Sequence, residues 1–322
     1  MKTPKFWNNK NWLSTLLMPI GTLYAAATAY RMKNNVPQTT VKPVICIGNL
    51  TAGGTGKTPV AISIAKILQS CGYNPNFISR GYGGTLRGAI VDNKVHTAQQ
   101  VGDEPLLLSK QAPVSINSDR FDAAQKAVEN GADIIIMDDG YQNPGLKKDI
   151  SFLVFDGVFG VGNARPIPAG PLRENFNKGL KRADAAIILG EDKTNLEEKL
   201  KKITVFKGKT EAIKPDIKNE NIIAFAGIGR PQKLYNSLKE AGFNILKTFD
   251  FPDHHYYSKK ELQDMIEAAK NLKADIYTTS KDMVKIPVKM RKEFKVLEIE
   301  IKWEDEDSIK EFIINRISCY PL

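Results

Sequence analysis

Thr51-Ala-Gly-Gly-Thr-Gly-Lys-Thr58 is the segment of this 322-residue chain that best predicts its fold class. It follows an apolar run at Val44–Ile47 that is typical of a buried strand, and a helical pattern begins directly after it. Its glycines let successive backbone N–H groups converge on phosphate oxygens without interference from a Cβ atom, and the helix N-terminus adds the positive end of its dipole. The stretch therefore predicts a phosphate-binding loop, although Thr51 stands where the standard pattern has glycine.

The loop and the most apolar strand supply the side chains that a nucleoside triphosphate and Mg²⁺ require. Lys57 is suited to reach the β- and γ-phosphates, and the hydroxyl of Thr58 is suited to bind Mg²⁺. Asp138 and Asp139 follow the strand Asp133–Met137, where acidic residues hold Mg²⁺ in phosphate-loop proteins. Acidic residues at strand ends also form turns, so the combination with the loop is what favours the metal role. The predicted nucleotide-binding residues are Thr51, Ala52, Gly53, Gly54, Thr55, Gly56, Lys57 and Thr58.

The rest of the chain alternates short apolar runs with helical patterns. This alternation predicts an α/β fold in which a mostly parallel sheet is covered by helices on both faces, with ligands beyond the carboxyl ends of the strands. The series weakens in a polar, Lys-rich stretch from Glu191 to about Lys218, and a second series follows. We therefore predict an N-terminal helical segment (1–35), a phosphate-loop nucleotide-binding domain (36–212) and a smaller α/β domain (213–322).

Composition and charge narrow the classes of partner. The three cysteines, Cys46, Cys71 and Cys319, have neither paired nor metal-binding spacing, which is typical of a reduced compartment and predicts a cytosolic-facing protein. The net charge of +10 suits anionic lipid or a phosphorylated small molecule, and a solvated basic surface is the alternative. No zinc-finger, RNP-type or basic-region pattern supports nucleic acid, so no nucleic-acid partner is predicted.

The N-terminal segment is the unusual part of the composition. No charged residue occurs from Asn11 to Tyr30, and basic residues flank this stretch on both sides. It approaches the length that spans a bilayer, but Pro19, Gly21 and several polar residues interrupt it. A spanning helix and an ordinary buried helix are alternatives to an interfacial helix with basic flanks at the lipid headgroups, which fits best. A secretory signal is rejected because the nucleotide site belongs with cytosolic nucleotide.

Three further segments carry groups suited to the acceptor side of a phosphoryl transfer. Gly102-Asp-Glu-Pro105 and Asp253-His-His255 offer a carboxylate that a histidine could tune as a base for a hydroxyl group. A helix cap at Asp103 and a structural histidine are the alternatives. The loop Arg165–Glu174 contains three prolines, which exclude a helix interior, and its two arginines suit phosphate recognition. A plain surface loop is the alternative there.

Together, these segments resemble the tetraacyldisaccharide 4′-kinases, or lipid A 4′-kinases. They occur in order over nearly the whole chain, and the family has the same threonine in place of the first glycine of the loop. The stretches that carry the resemblance are GNLTAGGTGKTP (48–59), SRGYGG (79–84), VGDEP (101–105), DDGYQ (138–142), RPIPAGPLRE (165–174), AGIGRP (226–231), FPDHHYYS (251–258) and TTSKDMVK (278–285).

The resemblance implies a reaction and its substrates. The implied enzyme transfers the γ-phosphate of ATP, with Mg²⁺, to the 4′-hydroxyl of a tetraacylated glucosamine disaccharide 1-phosphate, a lipid A precursor. This acceptor is anionic and lipid-embedded, so we expect the protein at an anionic membrane surface. The expected location is the cytoplasmic face of the inner membrane, with peripheral or monotopic attachment through the N-terminal helix.

The resemblance also implies the roles of individual residues. Asp103 is the implied general base, assisted by His254 rather than by His255, and Lys57 is the implied catalytic cation. The implied metal ligands are Thr58, Asp138, Asp139 and Glu174, and the further implied active-site residues are Arg80, Gln142 and Arg173.

Three other functions remain alternatives. A membrane-associated phosphate-loop ATPase that switches conformation shares the loop and the N-terminal helix, but it has no use for an acceptor base at Asp103 and His254. A non-catalytic protein that binds anionic lipid would not require Lys57. A soluble kinase for a small metabolite leaves residues 11–30 unexplained.

Overall fold

The computed structural model describes residues 4–213, 219–318 and 320. The strands are β1 (Val44–Gly48), β2 (Pro75–Ser79), β3 (Ala89–Ile90), β4 (Val114–Ile116), β5 (Ile134–Asp138), β6 (Ile150–Asp156), β7 (Ala185–Leu189), β8 (Thr204–Ala212), β9 (Asn221–Ala226), β10 (Asn244–Asp250), β11 (Asp275–Thr278), β12 (Lys295–Val296) and β13 (Ile299–Trp303). The α-helices are α1 (Trp12–Leu16), α2 (Met18–Asn34), α3 (Lys57–Ser70), α4 (Ala98–Val101), α5 (Asp103–Leu108), α6 (Arg120–Glu129), α7 (Phe176–Leu180), α8 (Leu196–Leu200), α9 (Pro231–Glu240), α10 (Lys259–Leu272), α11 (Ser280–Met283) and α12 (Glu306–Ile317).

The larger of two sheets has nine strands in the order β13-β8-β7-β6-β1-β5-β2-β4-β3. Its neighbouring strands are parallel except at the two edges, where β13 runs antiparallel to β8 and β3 runs antiparallel to β4. β1 lies between β5 and β6, so the phosphate loop leaves the sheet at its centre. The predicted mostly parallel α/β fold is confirmed.

Both faces of this sheet are buried because successive side chains of a strand point to opposite sides. On β1, Ile45 and Ile47 pack in one cluster with apolar side chains of α3 and α12. Val44 and Cys46 pack in the other cluster, with side chains of α6 and α8. Helices therefore cover the sheet on both faces, as the continuous apolar strands predict.

The second sheet is a smaller version of the same architecture. Its four strands are parallel, in the order β10-β9-β11-β12. Ile223 and Phe225 of β9 pack in a cluster that includes side chains of α10, whereas Ile222 and Ala224 pack in a cluster that includes side chains of α9. The loop that carries Asp253 and both adjacent histidines follows the carboxyl end of β10.

The Lys-rich stretch is more regular than the sequence suggests, since it contains α8 and the nine-residue strand β8. Phe206 and Gly208 are buried, and they alternate along β8 with Lys207 and the exposed Lys209. One face of the strand therefore carries lysines, although the strand continues the large sheet next to β7. The polar average of the stretch conceals an alternation of period two.

The C-terminal segment corrects part of the predicted domain division. β13 and α12 lie within the predicted smaller domain, but β13 pairs with β8 and belongs to the large sheet. The indole of Trp303 donates a hydrogen bond to the hydroxyl of Ser63 on α3 (2.9 Å). The chain thus enters the second sheet after β8 and returns to the first before β13, because the apolar side chains of α12 complete a core on the first sheet.

The N-terminal helices lie along the proline-rich loop of residues 165–174. The Arg165 guanidinium donates hydrogen bonds to the hydroxyls of Ser14 (2.8 Å) and Thr15 (2.9 Å). Arg165 therefore contacts the N-terminal segment. Arg173, the second arginine of the loop, instead contacts Asp139 after β5. No helix in the described residues is both long enough and apolar enough to cross a membrane. The large apolar side chains that α1 and α2 leave exposed are Trp12, Leu16, Ile20, Leu23, Tyr24 and Tyr30.

Candidate active site

The phosphate loop connects β1 to α3 through backbone conformations that favour glycine. Gly53 (φ +115°) and Gly56 (φ +92°) lie in the left-handed region, and a Cβ atom on Gly56 would collide with the side chain of Leu189. The Asn49 amide donates to the carbonyl of Thr51 (2.7 Å) and to the hydroxyl of Thr55 (3.2 Å), and all three residues are buried. This buried amide therefore links two residues of the loop and stabilises its conformation at the carboxyl edge of the sheet.

The end of β5 places two aspartates against this loop. Asp138 accepts a hydrogen bond from the Thr58 hydroxyl (2.9 Å), and its other carboxylate oxygen is buried with no hydrogen-bond partner among the described residues. Burial raises the pKa of Asp138, and the negative charge of Glu104 acts in the same direction. An unpartnered buried oxygen beside a hydroxyl is an arrangement that a divalent cation would satisfy. The residues present therefore fit Mg²⁺.

Asp139 has a left-handed backbone conformation (φ +52°), and two cationic side chains contact its carboxylate. Its carboxylate lies 2.9 Å from the Arg173 guanidinium and 3.5 Å from the Lys57 ammonium. Burial disfavours the charged carboxylate, but Lys57 and Arg173 outweigh it and hold the pKa of Asp139 below its ordinary value. The geometry thus gathers two positive charges where anionic phosphate oxygens would arrive.

Glu174 belongs to a neighbouring network. It is buried and accepts hydrogen bonds from the Arg182 guanidinium on both oxygens (2.8 Å each) and from the Gln142 amide (3.0 Å). The same Gln142 amide donates to the carbonyl of Asn49 (2.9 Å). Within the described part of the chain, no three acidic, histidine or cysteine side chains form a metal cluster. The metal role of Glu174 remains a prediction.

A pair of arginines flanks the site on the side of β2. Arg80 follows β2 directly and is exposed. Arg120, at the start of α6, is buried and donates to the carbonyl of Asn117 (2.7 Å), and its Nε has no hydrogen-bond partner within the part of the chain that the structure describes. Burial and the charge of Arg80 lower the pKa of Arg120 to about 10. A buried guanidinium with an unused donor next to a second guanidinium suits an anionic ligand.

The carboxylate of Asp103, beside the large sheet, contacts the imidazole of His254, in the loop that follows β10 of the second sheet. Nδ1 of His254 lies 3.0 Å from one oxygen of Asp103 and 3.3 Å from the other. His254 has a left-handed backbone (φ +60°), and the ring of Tyr82 packs edge-on against it with centroids 5.6 Å apart. His255 points elsewhere: it stacks on Phe251 and bonds Glu261 through Nε2 (3.1 Å).

Electrostatic interactions keep the Asp103 carboxyl group of this pair ionised. Burial raises the pKa of Asp103, but the hydrogen bond with His254 and the charge of Lys281 outweigh burial and hold that pKa below its ordinary value. The hydrogen bond with Asp103 raises the pKa of His254, against burial and the charge of Lys281. Asp103 is therefore a carboxylate at neutral pH, as a proton acceptor must be.

Glu174 and Gln142 form a network of their own and Arg80 is exposed, whereas the other predicted site residues fall into two groups in space. One comprises the phosphate loop with Asp138, Asp139 and Arg173, and the other is the pair of Asp103 and His254. Sequence reasoning missed four charged residues around them. Glu104 and Lys281 lie inside the quoted stretches 101–105 and 278–285, so those stretches carried a signal. Arg182 and Arg120 had none, because neither stands out from neighbouring polar residues in the sequence.

A second contact joins the two halves away from the histidine. Asp156, at the end of β6, is buried and accepts from the Arg230 guanidinium (2.8 Å) and the Lys233 ammonium (2.5 Å). Arg230 also lies over the ring of Phe159, 4.7 Å from its centroid. These contacts hold the start of α9 against the large sheet.

Known proteins share this architecture. The crystal structure of the "apo" form of LpxK from Aquifex aeolicus in complex with ATP has a TM-score of 0.77 to this chain at 26% identity, covering 95% of this chain and 99% of that one. The tetraacyldisaccharide 4′-kinase of Rhodospirillum centenum is 41% identical over 328 residues, covering 99% of this chain and 97% of the relative. The tetraacyldisaccharide 4′-kinase of Parvibaculum lavamentivorans is 44% identical over 297 residues, covering 89% and 87%.

The family model described as LpxK, tetraacyldisaccharide-1-P 4′-kinase, matches residues 13–318. This match spans both sheets and most of the N-terminal helices. The chain therefore belongs to the tetraacyldisaccharide-1-P 4′-kinase family.

Proposed function

We propose that this chain transfers the γ-phosphate of ATP to the 4′-hydroxyl of a tetraacylated glucosamine disaccharide 1-phosphate. Family membership supports the reaction. The observation that carries it is the 3.0 Å contact between Asp103 and His254, a carboxylate–imidazole pair beside a phosphate loop. Glu104, the residue after Asp103, is near enough to Asp138 for its charge to raise the pKa of that aspartate, which supports placing the pair beside the loop. A conformational switch would have no use for such a base.

The phosphate half of the site binds and orients the donor. The backbone N–H groups of the loop and the N-terminus of α3 bind the phosphates, while Lys57 and Arg173 neutralise the oxygens around the transferred group. Thr58 and Asp138 would hold Mg²⁺, with Asp139 beside them, and the ion would supply a positive charge that stabilises the charge developing on the phosphate oxygens. The carboxylate of Asp139 contacts both Lys57 and Arg173 and so holds these two cations close together.

The acceptor half of the site removes a proton. Ionised Asp103 accepts the proton of the 4′-hydroxyl as the sugar oxygen forms its bond to phosphorus, and the bond between phosphorus and the oxygen that leaves with ADP breaks. The proton passes from Asp103 to solvent afterwards. His254 holds the carboxylate in place through its Nδ1–H, so the acceptor approaches a base of fixed orientation.

The N-terminal helices are suited to a membrane surface beside this site. The exposed apolar side chains Trp12, Leu16 and Leu23 and the flanking basic residues match an interfacial helix on anionic lipid. A cavity of about 310 Å³ lies between α2 and the Glu174 network, and Lys33, Lys178 and Arg182 line it. These cations suit an anionic headgroup. We therefore propose the cytoplasmic face of the inner membrane as the location, with peripheral or monotopic attachment through the N-terminal helix.

Phosphate transfer is tested with Mg-ATP labelled in the γ-phosphate and a detergent-dispersed tetraacyl disaccharide 1-phosphate. Asp103→Asn keeps the size of the side chain but cannot accept the proton, so we expect label in the lipid to fall by about 10²-fold or more. Asp264→Asn, an exposed aspartate on α10, is the matched control and retains wild-type transfer. ATP hydrolysis with no label in the lipid, unchanged by Asp103→Asn, would instead identify a switch ATPase.

Membrane attachment is tested by sedimentation with vesicles that contain anionic lipid. Leu23→Ser removes an apolar side chain that is 71% exposed on α2, so we expect weaker sedimentation with vesicles. Val95→Ser is the matched control, because Val95 is also 71% exposed but lies far from the N-terminal helices in the sequence. Equal sedimentation of both variants and wild type would contradict attachment through α2.

A further inference from the structure

Lys281 lies in the acceptor half of the active site, where the part of the chain built on the second sheet meets the part built on the large sheet. It belongs to α11, which follows β11 of the second sheet, and its Nζ lies 3.5 Å from Nε2 of His254. The same ammonium is 3.2 Å from Glu104 on α5, 3.7 Å from Asp253 and 3.8 Å from Asp103. The side chain of Lys281 is mostly buried. One cation thus contacts both residues of the acceptor half.

The segment that carries Lys281 is held rigidly. The next residue, Asp282, is fully buried and pairs with the ammonium of Lys285 at 2.6 Å. Asp282 also accepts hydrogen bonds from the Tyr257 hydroxyl (2.8 Å) and from the backbone N–H of Gly227 (3.1 Å). Since Tyr257 follows His254 by three residues, one buried network positions both the lysine and the histidine loop.

The partners of the two ring nitrogens of His254 determine where its proton lies. Nδ1 faces the Asp103 carboxylate, which can only accept a hydrogen bond, so Nδ1 must carry a proton. Nε2 faces the ammonium of Lys281, which can only donate, so a proton on Nε2 would meet another donor. The neutral form with the proton on Nδ1 is the one that satisfies both contacts.

We propose that Lys281 is a positioning residue: its ammonium donates to Nε2 of His254 and so restricts the imidazole to the Nδ1–H form that holds Asp103. This inference rests on the proposed function, because it assigns the state of the base used there. Without Lys281, Nε2 gains a proton and turns to the carboxylate of Asp253, which already lies 3.9 Å away. The resulting imidazolium bonds Asp103 more tightly and makes it a weaker base.

The charged groups around the ring are consistent with this role. Asp103 faces it from α5, Asp253 from its own loop and Lys281 from α11. Glu104 contacts Lys281 rather than the ring, and Lys285 acts on Asp103 from farther along the chain. Burial lowers the pKa of Lys281, but the carboxylates of Glu104, Asp103 and Asp253 raise it above its ordinary value. Lys281 is therefore charged, and its charge opposes protonation of His254.

The proposal is tested by ¹⁵N NMR of histidine-labelled full-length protein, because the chain has only three histidines. In wild type we expect neutral His254 to show a protonated Nδ1 and an unprotonated Nε2. In Lys281→Met the pKa of His254 should rise by about one unit. The signal of the unprotonated Nε2 should therefore appear only at a higher pH than in wild type. Lys281→Arg should restore most of the wild-type titration. Lys270→Met, an exposed lysine on α10, is the matched control.

Kinetics complete the test. Lys281→Met should lower kcat about tenfold or more, and it should have little further effect in a His254→Ala background. A lower kcat with unchanged nitrogen shifts and pKa of His254 would overturn the proposal in favour of a purely structural role. If wild type transfers no phosphate to the disaccharide, the proposed function fails, and the nitrogen shifts still decide the proton position.

Discussion

The two halves of the active site are built in different ways. The phosphate half joins residues at the ends of adjacent strands, since β1 pairs with β5 and Ile47 lies opposite Asp138 in the parallel register. The acceptor half joins Asp103 and His254, which are 151 residues apart. Asp103 begins α5, beside the large sheet, and His254 lies in the loop after β10 of the second sheet. The first half is therefore fixed by strand pairing, whereas the second depends on how two sheets pack. Each half should fail separately when its own support is removed.

The largest expected effect breaks the phosphate half alone. Lys57→Met removes one of the two cations on Asp139, so we expect phosphate transfer to fall by about 10³-fold while the contact between Asp103 and His254 persists. Label transfer measures the first result, and the ¹⁵N signals of His254 measure the second. Lys66→Met, an exposed lysine on the same helix, should leave both unchanged. Changed His254 signals in Lys57→Met would contradict independent halves.

A smaller effect is expected from the support of the acceptor half. Asp282→Ala leaves the buried ammonium of Lys285 without its carboxylate, so the free energy of unfolding should fall by about 3 kcal/mol. Asp275→Ala is the control: its ion pair with Lys295 is partly exposed and should contribute about 0–1 kcal/mol. Urea unfolding followed by circular dichroism measures both values. Equal losses would show that the buried pair is not the support of this half.

The smallest effect concerns pH and separates two adjacent histidines. His254→Ala removes a hydrogen bond that lowers the pKa of Asp103, so this pKa rises. Because only the carboxylate accepts the proton of the hydroxyl, the acid limb of kcat should move to higher pH by up to about one unit. His255→Ala should leave the limb in place, since His255 bonds Glu261. The pH dependence of kcat decides, and equal shifts in both variants would contradict the assignment of His254.

Much of the first half could be predicted from the sequence. The glycines, Lys57 and Thr58 stand in one contiguous stretch, and the two aspartates end the most apolar strand, so local patterns were sufficient. The predicted fold class and kinase family are confirmed. β8 and α12 were missed because their apolar residues are diluted by charge, and Arg182 was missed because its partner Glu174 is recognised only when the loop folds back.

Sequence patterns were sufficient to predict the phosphate loop, the mostly parallel sheet and the family, because each pattern consists of residues that are neighbours along the chain. The resemblance implied His254 rather than His255 as the partner of Asp103, and the structure shows this contact. Only the folded structure shows that Lys281 approaches the second nitrogen of the same ring. Hydrogen bonds and ion pairs act over a few ångströms. Only the packing of the two sheets brings side chains so distant in sequence within that range.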